Sequence, residues 1–167
     1  MNKIREILND DESVLVFDVD GVLAVMEWGE YTHFIASDEV WSNMYETQME
    51  YYTEEYVSKT MQDFIKTKDL SRLYVITKAY SENEADDKKN FLNKYYGILK
   101  DHVYYVGSNL DKRGKLIEIK NIYPDLPDRK LVMIDDTVEV LSDIMDNTPY
   151  STAHVSTFLD ADLWVKK

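Results

Sequence analysis

Cysteine is absent from this chain of 167 residues. Disulfide bonds, thiolate zinc sites and thiol nucleophiles are therefore excluded. No run of about eighteen apolar residues occurs, so we expect no transmembrane helix. The first residues, MNKIREILNDDES, are charged and amphipathic and lack the apolar stretch of a signal peptide. These absences lead us to expect a cytoplasmic protein with no membrane partner.

Positive charge is scarce. Lysine and arginine together number 19 against 32 aspartates and glutamates, which gives a formal net charge of −13. An acidic surface repels a phosphate backbone, so we do not expect a long nucleic acid as the main partner. A small phosphorylated substrate is compatible with this charge, because a metal ion and one or two nearby lysines can outweigh it. Apolar residues, by contrast, make up 44% of the chain, which is enough for a folded core.

The order of predicted elements is that of an α/β protein. Short apolar runs that predict strands alternate with amphipathic segments that predict helices, which is typical of a mostly parallel sheet flanked by helices. Ser81 is suited to begin one of these helices and Gly97 to end it. No internal repeat or low-complexity linker is present, so residues 1–167 are expected to form a single domain. The predicted strands are VLVF at 14–17, RLYVIT at 72–77, HVYYVG at 102–107, KLVMIDD at 130–136 and STAHVST at 151–157.

One long segment interrupts this alternation after the first strand. We expect residues 24–70 to form a flap hairpin and a small helical insertion, with Thr53 capping the second helix. Glycine and proline are both missing from residues 37 to 69, which favours helix there. Trp28 and Tyr31, near the flap tip, are candidates for stacking on a substrate, whereas most aromatic side chains of the segment are expected to pack against the core.

Polar residues follow three of the predicted strands at their carboxyl ends, where parallel α/β sheets bind their ligands. They are Asp18 and Asp20 after the first strand, Thr77 at the end of the second, and Asp135 and Asp136 at the end of the fourth. Each has a structural explanation on its own, because aspartate is common in turns and at helix starts. The carboxyl ends of parallel strands meet at one edge of a sheet, so the sequence predicts that these side chains lie close together.

The residue types at this edge suit phosphoryl transfer. Gathered carboxylates are ligands for a hard cation such as Mg²⁺, whose coordination is completed by water and substrate phosphate. One carboxylate can act as a covalent nucleophile, and a second can donate and accept the proton. A threonine hydroxyl and a lysine ammonium can bind the developing phosphoryl charge. The sequence therefore predicts a metal-dependent site for a phosphorylated substrate.

Three motifs resemble those of the haloacid dehalogenase-like (HAD) phosphohydrolase superfamily. FDVDGVL, residues 17–23, matches the first motif; YVIT, ending at Thr77, is similar to the second; and LVMIDD, ending at Asp136, is similar to the fourth. The third motif of that superfamily is a lysine near a helix start. The similarity extends over residues 13 to 157 and implies a Rossmann-like HAD core with a five-stranded sheet and, because only a short segment separates the first two motifs, a minimal cap or none.

The resemblance implies a role for each of the polar residues. Asp18 would be the nucleophile that accepts the phosphoryl group, and Asp20 would be the general acid and base, with its backbone carbonyl on Mg²⁺. Thr77 would hold the phosphoryl oxygens. Asp135 would ligate the metal, and Asp136 would support it directly or through water. Superfamily dehalogenases lack the acid at the place of Asp20, so a phosphate ester is favoured over a haloacid.

The lysine of the third motif has two candidates. Lys112 precedes Leu116 and Ile119 by four and seven residues, the spacing of a lysine that opens an amphipathic helix, and we prefer it. Lys115 lies further inside the same helix and is the alternative. Lys78, which directly follows the second strand, is a third nearby cation and a candidate for substrate contact.

The predicted function is that of a magnesium-dependent phosphomonoester hydrolase that works through an aspartyl-phosphate on Asp18. The motifs resemble those of nucleotidase-type and polynucleotide-phosphatase-type members. The acidic surface disfavours a polynucleotide, so a nucleotide or another small phosphate ester is the expected substrate. Two alternatives stay open. One is a phosphotransferase or mutase of the same superfamily, and the other is a non-catalytic domain that binds phosphate or metal.

Overall fold

A sheet of five parallel strands forms the centre of the molecule. The computed structural model describes residues 3–25 and 52–159. The strands lie in the order β3-β2-β1-β4-β5, and all four pairings are parallel. The predicted α/β class with a five-stranded sheet is confirmed. The strands are β1 (Val14–Phe17), β2 (Leu73–Lys78), β3 (Val103–Val106), β4 (Leu131–Asp135) and β5 (Ser151–His154).

Five α-helices flank this sheet in the described part of the chain, and none of them is long and apolar enough to cross a membrane. The predicted ends of the third helix are confirmed: Ser81 Oγ accepts a hydrogen bond from the Glu84 backbone N, and Gly97 follows the helix with a left-handed φ of 71°. The helices are α1 (Lys3–Asn9), α2 (Lys59–Ile65), α3 (Glu82–Tyr96), α4 (Lys112–Ile122) and α5 (Val138–Asn147).

The three central strands, β1, β2 and β4, are buried on both faces, which explains why they read as apolar runs. Side chains of a strand point alternately to the two faces. In β1, Leu15 and Phe17 join the core cluster under α1, α2 and α3, whereas Val14 and Val16 join the cluster under α4 and α5. Helices on both sides therefore hold the carboxyl end of β1 in a fixed position.

The predicted cap of α2 was wrong. Ser58, not Thr53, precedes the helix, and its Oγ accepts a hydrogen bond from the Met61 backbone N at 3.4 Å. Thr53 instead precedes a short 3-10 turn and makes no side-chain capping bond. The helical spacing of apolar residues continues upstream of Ser58, but Val57 forms an antiparallel bridge with Ala24, and this bridge keeps the chain extended there.

The two chain segments on either side of residues 26–51 are bonded to each other, and we call this pairing the stem. The Val25 N–H donates to Tyr56 O at 2.8 Å, and the Ser58 N–H donates to Leu23 O at 3.1 Å. The Tyr96 hydroxyl of α3 also donates to Leu23 O. The predicted first insertion helix and most of the predicted flap, including Trp28 and Tyr31, lie outside the described residues.

Candidate functional site

Asp18 continues the sheet directly beyond β1. Its backbone N–H donates to Ile134 O at 2.9 Å, so the main chain at Asp18 is fixed against β4. Asp135, the last residue of β4, lies beside it. Asp18 is 7% exposed and Asp135 is 0% exposed. Two buried carboxylates next to each other repel one another unless positive charge lies nearby, so the surroundings of this pair decide its chemistry.

Asp136 completes a group of three carboxylates. One oxygen from each of Asp18, Asp135 and Asp136 lies within 4.8 Å of the others. Thr137, which precedes α5, fixes the last two: its backbone N–H donates to Asp135 Oδ1 at 2.9 Å, and its hydroxyl donates to Asp136 Oδ1 at 3.3 Å. The structure thus brings together three of the four predicted metal ligands. The carboxylate of Asp20, the fourth, is not part of this group.

Lys112 supplies positive charge to the buried acids. Its Nζ lies 2.8 Å from Asp18 Oδ2 and 2.9 Å from Asp135 Oδ2, and the residue is only 1% exposed. Lys115, the alternative, lies further along α4 and pairs with Glu118 at 2.7 Å instead. Of the two lysines that the sequence left open, Lys112 is therefore the one at the acids.

One buried oxygen in this group is left without a partner. Asp18 Oδ1 is inaccessible to solvent and has no hydrogen bond to any of the described residues. Buried polar atoms are nearly always satisfied, and leaving a carboxylate oxygen unpaired is unfavourable. This oxygen belongs to the same carboxylate whose other oxygen is held by Lys112, so the unpaired oxygen of Asp18 is a candidate binding atom.

Burial and mutual repulsion shift the ionisation of the group. Burial, followed by the negative charge of Asp18, raises the pKa of Asp135 to about 6. The same two causes raise the pKa of Asp136. Burial alone would lower the pKa of Lys112, but the charges of Asp18 and Asp135 outweigh it and raise that pKa. Lys112 therefore stays an ammonium, and three carboxyl groups lie around this one cation.

Asp20 contacts a different set of residues. Gly21, with a left-handed φ of 78°, turns the chain directly after it. Asp20 Oδ1 accepts a hydrogen bond from the Tyr52 hydroxyl at 2.9 Å, and Asp20 Oδ2 lies 2.8 Å from Lys88 Nζ. Burial raises the pKa of Asp20, although the Lys88 charge opposes this shift. The first motif therefore divides between two lysines, with Lys112 on Asp18 and Lys88 on Asp20.

Sequence reasoning missed Lys88, which is 1% exposed. It lies on α3 three residues after buried Ala85 and four before buried Leu92, so its place on the apolar stripe was a usable signal. Burial alone would lower the pKa of Lys88, but the charges of Asp20 and Glu84 raise it. Asp20 and Lys88 thus form an ion pair that is separate from the group of three carboxylates.

Two other predicted residues have different surroundings. Thr77 is buried at the end of β2, and its Oγ1 lies 3.2 Å from Lys88 Nζ. Lys78 follows it, and its Nζ donates to the hydroxyl of exposed Tyr80 at 2.5 Å. Trp28 and Tyr31 fall among the residues that are not described. The structure therefore places Thr77 in the network around Asp20, and Lys78 at its rim with Tyr80.

The chain matches no family model, and no curated protein matches it. A functional proposal therefore depends on the geometry of the site and on the motifs that form it.

Proposed function

We propose that this protein is a Mg²⁺-dependent phosphomonoester hydrolase of the HAD type that acts through an aspartyl-phosphate on Asp18. One observation carries the proposal. Asp18 is a buried carboxylate with one oxygen on Lys112, at 2.8 Å, and the other without a partner. A nucleophile needs such an arrangement, because it must be fixed in position while one of its oxygens is not used by a hydrogen bond within the protein.

The donor set fits Mg²⁺. The cluster offers oxygen ligands only, from Asp18, Asp135 and Asp136, and these are the ligands that this ion prefers. Its charge also fits, because three carboxylates face the single ammonium of Lys112. The HAD motif adds the backbone carbonyl of Asp20 to the proposed ligands. Bound Mg²⁺ would offset the negative charge of the acids and of the phosphate ester.

In the first half of the proposed reaction, a carboxylate oxygen of Asp18 attacks the phosphorus. The new bond joins this oxygen to phosphorus, the bond to the ester oxygen breaks, and protonated Asp20 gives its proton to the leaving alcohol. An ammonium has three N–H donors. Lys112 directs donors at Asp18 and Asp135, and we assign the third to a phosphoryl oxygen, together with the Thr77 hydroxyl.

In the second half, water attacks the phosphorus and gives its proton to Asp20. The bond between phosphorus and the Asp18 oxygen breaks, inorganic phosphate leaves, and both carboxyl groups return to their starting state. Asp20 is suited to this exchange because it lies two residues from Asp18 and is only partly buried, with 23% of its side chain exposed. Its side chain is therefore in contact with solvent, with which it must exchange a proton.

The proposed substrate is a small phosphate ester, such as a nucleotide. A net charge of −13 disfavours a long nucleic acid, whereas a single phosphate group would meet the buried ammonium of Lys112. The proposal keeps the cytoplasmic location expected from the sequence, which cell fractionation would test.

The testing experiment measures hydrolysis of an aryl phosphate with Mg²⁺ by the wild type and by Asp18→Asn. We expect turnover to fall on the order of 10⁴-fold or more in the variant, because the nucleophile is lost. Asp86→Asn, which changes an exposed acid on α3, is the matched control and should retain full activity. Intact mass measurement during turnover should show a phosphoryl adduct in the wild type only.

Two results would contradict the proposal. One is activity retained by Asp18→Asn in a preparation free of contaminating phosphatase. The other is a wild type that hydrolyses no member of a panel of aryl phosphates, nucleotides and sugar phosphates. Product analysis with added alcohols would show separately whether the phosphoryl group passes to an acceptor other than water.

A further inference from the structure

We propose that Lys88, held by Glu84, is a positioning residue that fixes the carboxyl group of Asp20 for proton transfer to the leaving group. This inference rests on the proposed function, because it gives Asp20 the proton-transfer role. It adds residues that lie outside the three motifs recognised in the sequence.

The contacts of Lys88 join the two halves of the site. Its Nζ lies 2.8 Å from Asp20 Oδ2 and 3.2 Å from Thr77 Oγ1. Asp20 follows β1 and Thr77 lies at the end of β2, so a single ammonium from α3 connects two neighbouring strand ends. Thr77 Oγ1 accepts from Lys88 and donates its own hydrogen to Lys78 O at 3.3 Å, so Thr77 belongs to the same hydrogen-bond network as Asp20.

Glu84 holds the ammonium in place. It lies four residues before Lys88 on α3, so both side chains project from the same side of the helix. Glu84 Oε1 is 2.8 Å from Lys88 Nζ, and Glu84 Oε2 accepts a hydrogen bond from the Tyr80 backbone N at 2.6 Å. Lys88 Nζ also donates to Lys78 O at 2.5 Å. The lysine is therefore tied to both the helix and the loop that follows β2.

Asp20 is consequently held at both oxygens. The Tyr52 hydroxyl donates to Oδ1 and Lys88 lies at Oδ2, so rotation of the carboxyl group breaks at least one of these contacts. Stability alone does not explain this arrangement, because an apolar side chain of similar size on the buried stripe of α3 would avoid the desolvation of Glu84 and Lys88. A fixed orientation of Asp20 gives the buried ions a functional use.

The test compares two substrates that differ in their need for a proton donor. The leaving group of dinitrophenyl phosphate is dinitrophenolate, which is a stable anion and needs no proton. The leaving group of ethyl phosphate is an alkoxide, which must be protonated as it departs. In Lys88→Met we expect kcat/KM to fall about 100-fold for ethyl phosphate. For dinitrophenyl phosphate we expect kcat/KM to change by no more than about threefold. Glu84→Gln should show the same selectivity with a smaller loss. Lys89→Met, on the adjacent, partly exposed position of α3, should leave both substrates unaffected.

Asp20→Asn provides the reference pattern. It should show the same selectivity for the leaving group, and adding Lys88→Met should cause little further loss, because both changes remove the same proton transfer. Thermal unfolding of the metal-free variants gives a readout that does not depend on activity. The losses in melting temperature from Lys88→Met and Asp20→Asn should be non-additive. If Lys88→Met does not fold, Glu84→Gln and Tyr52→Phe test the same prediction.

An equal loss on both substrates, or no loss, would overturn the positioning role while leaving the phosphatase intact. Absence of Asp18-dependent turnover in the wild type would overturn the proposed function and this inference with it. The two failures are distinguishable, because the second is seen in the comparison of wild type with Asp18→Asn and the first in the ratio between substrates.

Discussion

Lys112 and Lys130 lie at opposite edges of the central sheet, and each contacts two carboxylates at similar distances. At the carboxyl edge, Lys112 Nζ lies 2.8 and 2.9 Å from Asp18 and Asp135. At the amino edge, Lys130 Nζ lies 3.0 Å from Asp10 and 2.5 Å from Glu12. The two clusters differ in burial. The Lys112 side chain is 1% exposed, whereas the side chains of Lys130 and Glu12 are 24% and 74% exposed.

Contact distance alone does not distinguish a buried ion pair from a hydrated one. Charges at the amino edge keep much of their hydration, so their pairing contributes little to stability and is screened by salt. Charges at the carboxyl edge have lost their hydration, so each depends on its neighbours. At the carboxyl edge, Asp136 adds a third carboxyl group beside the one ammonium of Lys112, and Asp18 Oδ1 has no hydrogen-bond partner among the described residues. The amino edge is complete without a ligand, and the carboxyl edge is suited to gain one.

Of the substitutions at the two edges, Lys112→Met should cause the largest loss of stability and turnover. It leaves Asp18 and Asp135 buried side by side without a cation, so we expect the free energy of unfolding to fall by about 3 kcal/mol without metal. Turnover should fall by about 10²–10³-fold, because a donor to the phosphoryl group is lost. Urea unfolding and steady-state kinetics check the two effects. Lys115→Met is the control, and equal losses in both variants would show that burial is not the deciding difference.

Asp135→Asn should remove the response to metal. Wild type at 100 times the dissociation constant of Mg²⁺ should gain about 2.7 kcal/mol of stability. The variant should gain much less, because it loses a charged oxygen ligand. Thermal unfolding over a Mg²⁺ titration measures this difference. Asp143→Asn, which changes a partly exposed acid on α5, should respond as the wild type does, and a similar response in Asp135→Asn would argue against the proposed ligands.

Lys130→Met should have a small effect at the amino edge. The lysine and its partners keep contact with water, so we expect the melting temperature to fall by no more than about 2 °C. The difference from wild type should disappear at about 1 M salt, where the screening length is about 3 Å. Calorimetry at low and high salt tests this. A large, salt-resistant loss would mean that the two edges do not differ as described.

The smallest expected effect is a pH dependence at Asp10. The Glu12 backbone N–H and, next, Lys130 lower the pKa of Asp10 in the folded state. A lowered folded-state pKa gives stability that is present above the unfolded pKa, about 3.9, and is lost as the pH falls below it. In Asp10→Asn, the loss of melting temperature below about pH 4 should therefore be slightly shallower than in wild type. Identical acid limbs would contradict this linkage.

The fold was predictable from sequence because its three central strands are buried on both faces. A short apolar run such as Val14–Phe17, followed by aspartate and glycine, predicts a buried strand that ends in a turn. The cap of α2 was not predictable, because a bridge between Val57 and Ala24, distant in sequence, overrode the local helical pattern.

The site was only partly predictable. Lys112 was found because apolar residues follow it at helical spacing. Lys88 has the same signal, with Ala85 before it and Leu92 after it, but an i, i+4 partner such as Glu84 is the usual sign of a solvated pair. Sequence spacing reports which side of a helix a lysine occupies. It does not report which carboxylate, from a strand far away in sequence, will meet the lysine there.

The stem between β1 and α2 has a consequence for how such a protein diversifies. Because the Val25 N–H is bonded to Tyr56 O at 2.8 Å, the anchor points of the intervening residues are set by the core and not by what connects them. The free energy of loop closure rises by only about 0.6 kcal/mol for each doubling of loop length. Segments of different length and composition can therefore be exchanged there at a small cost in loop-closure free energy, because the anchor points and the carboxylates of the sheet belong to the core.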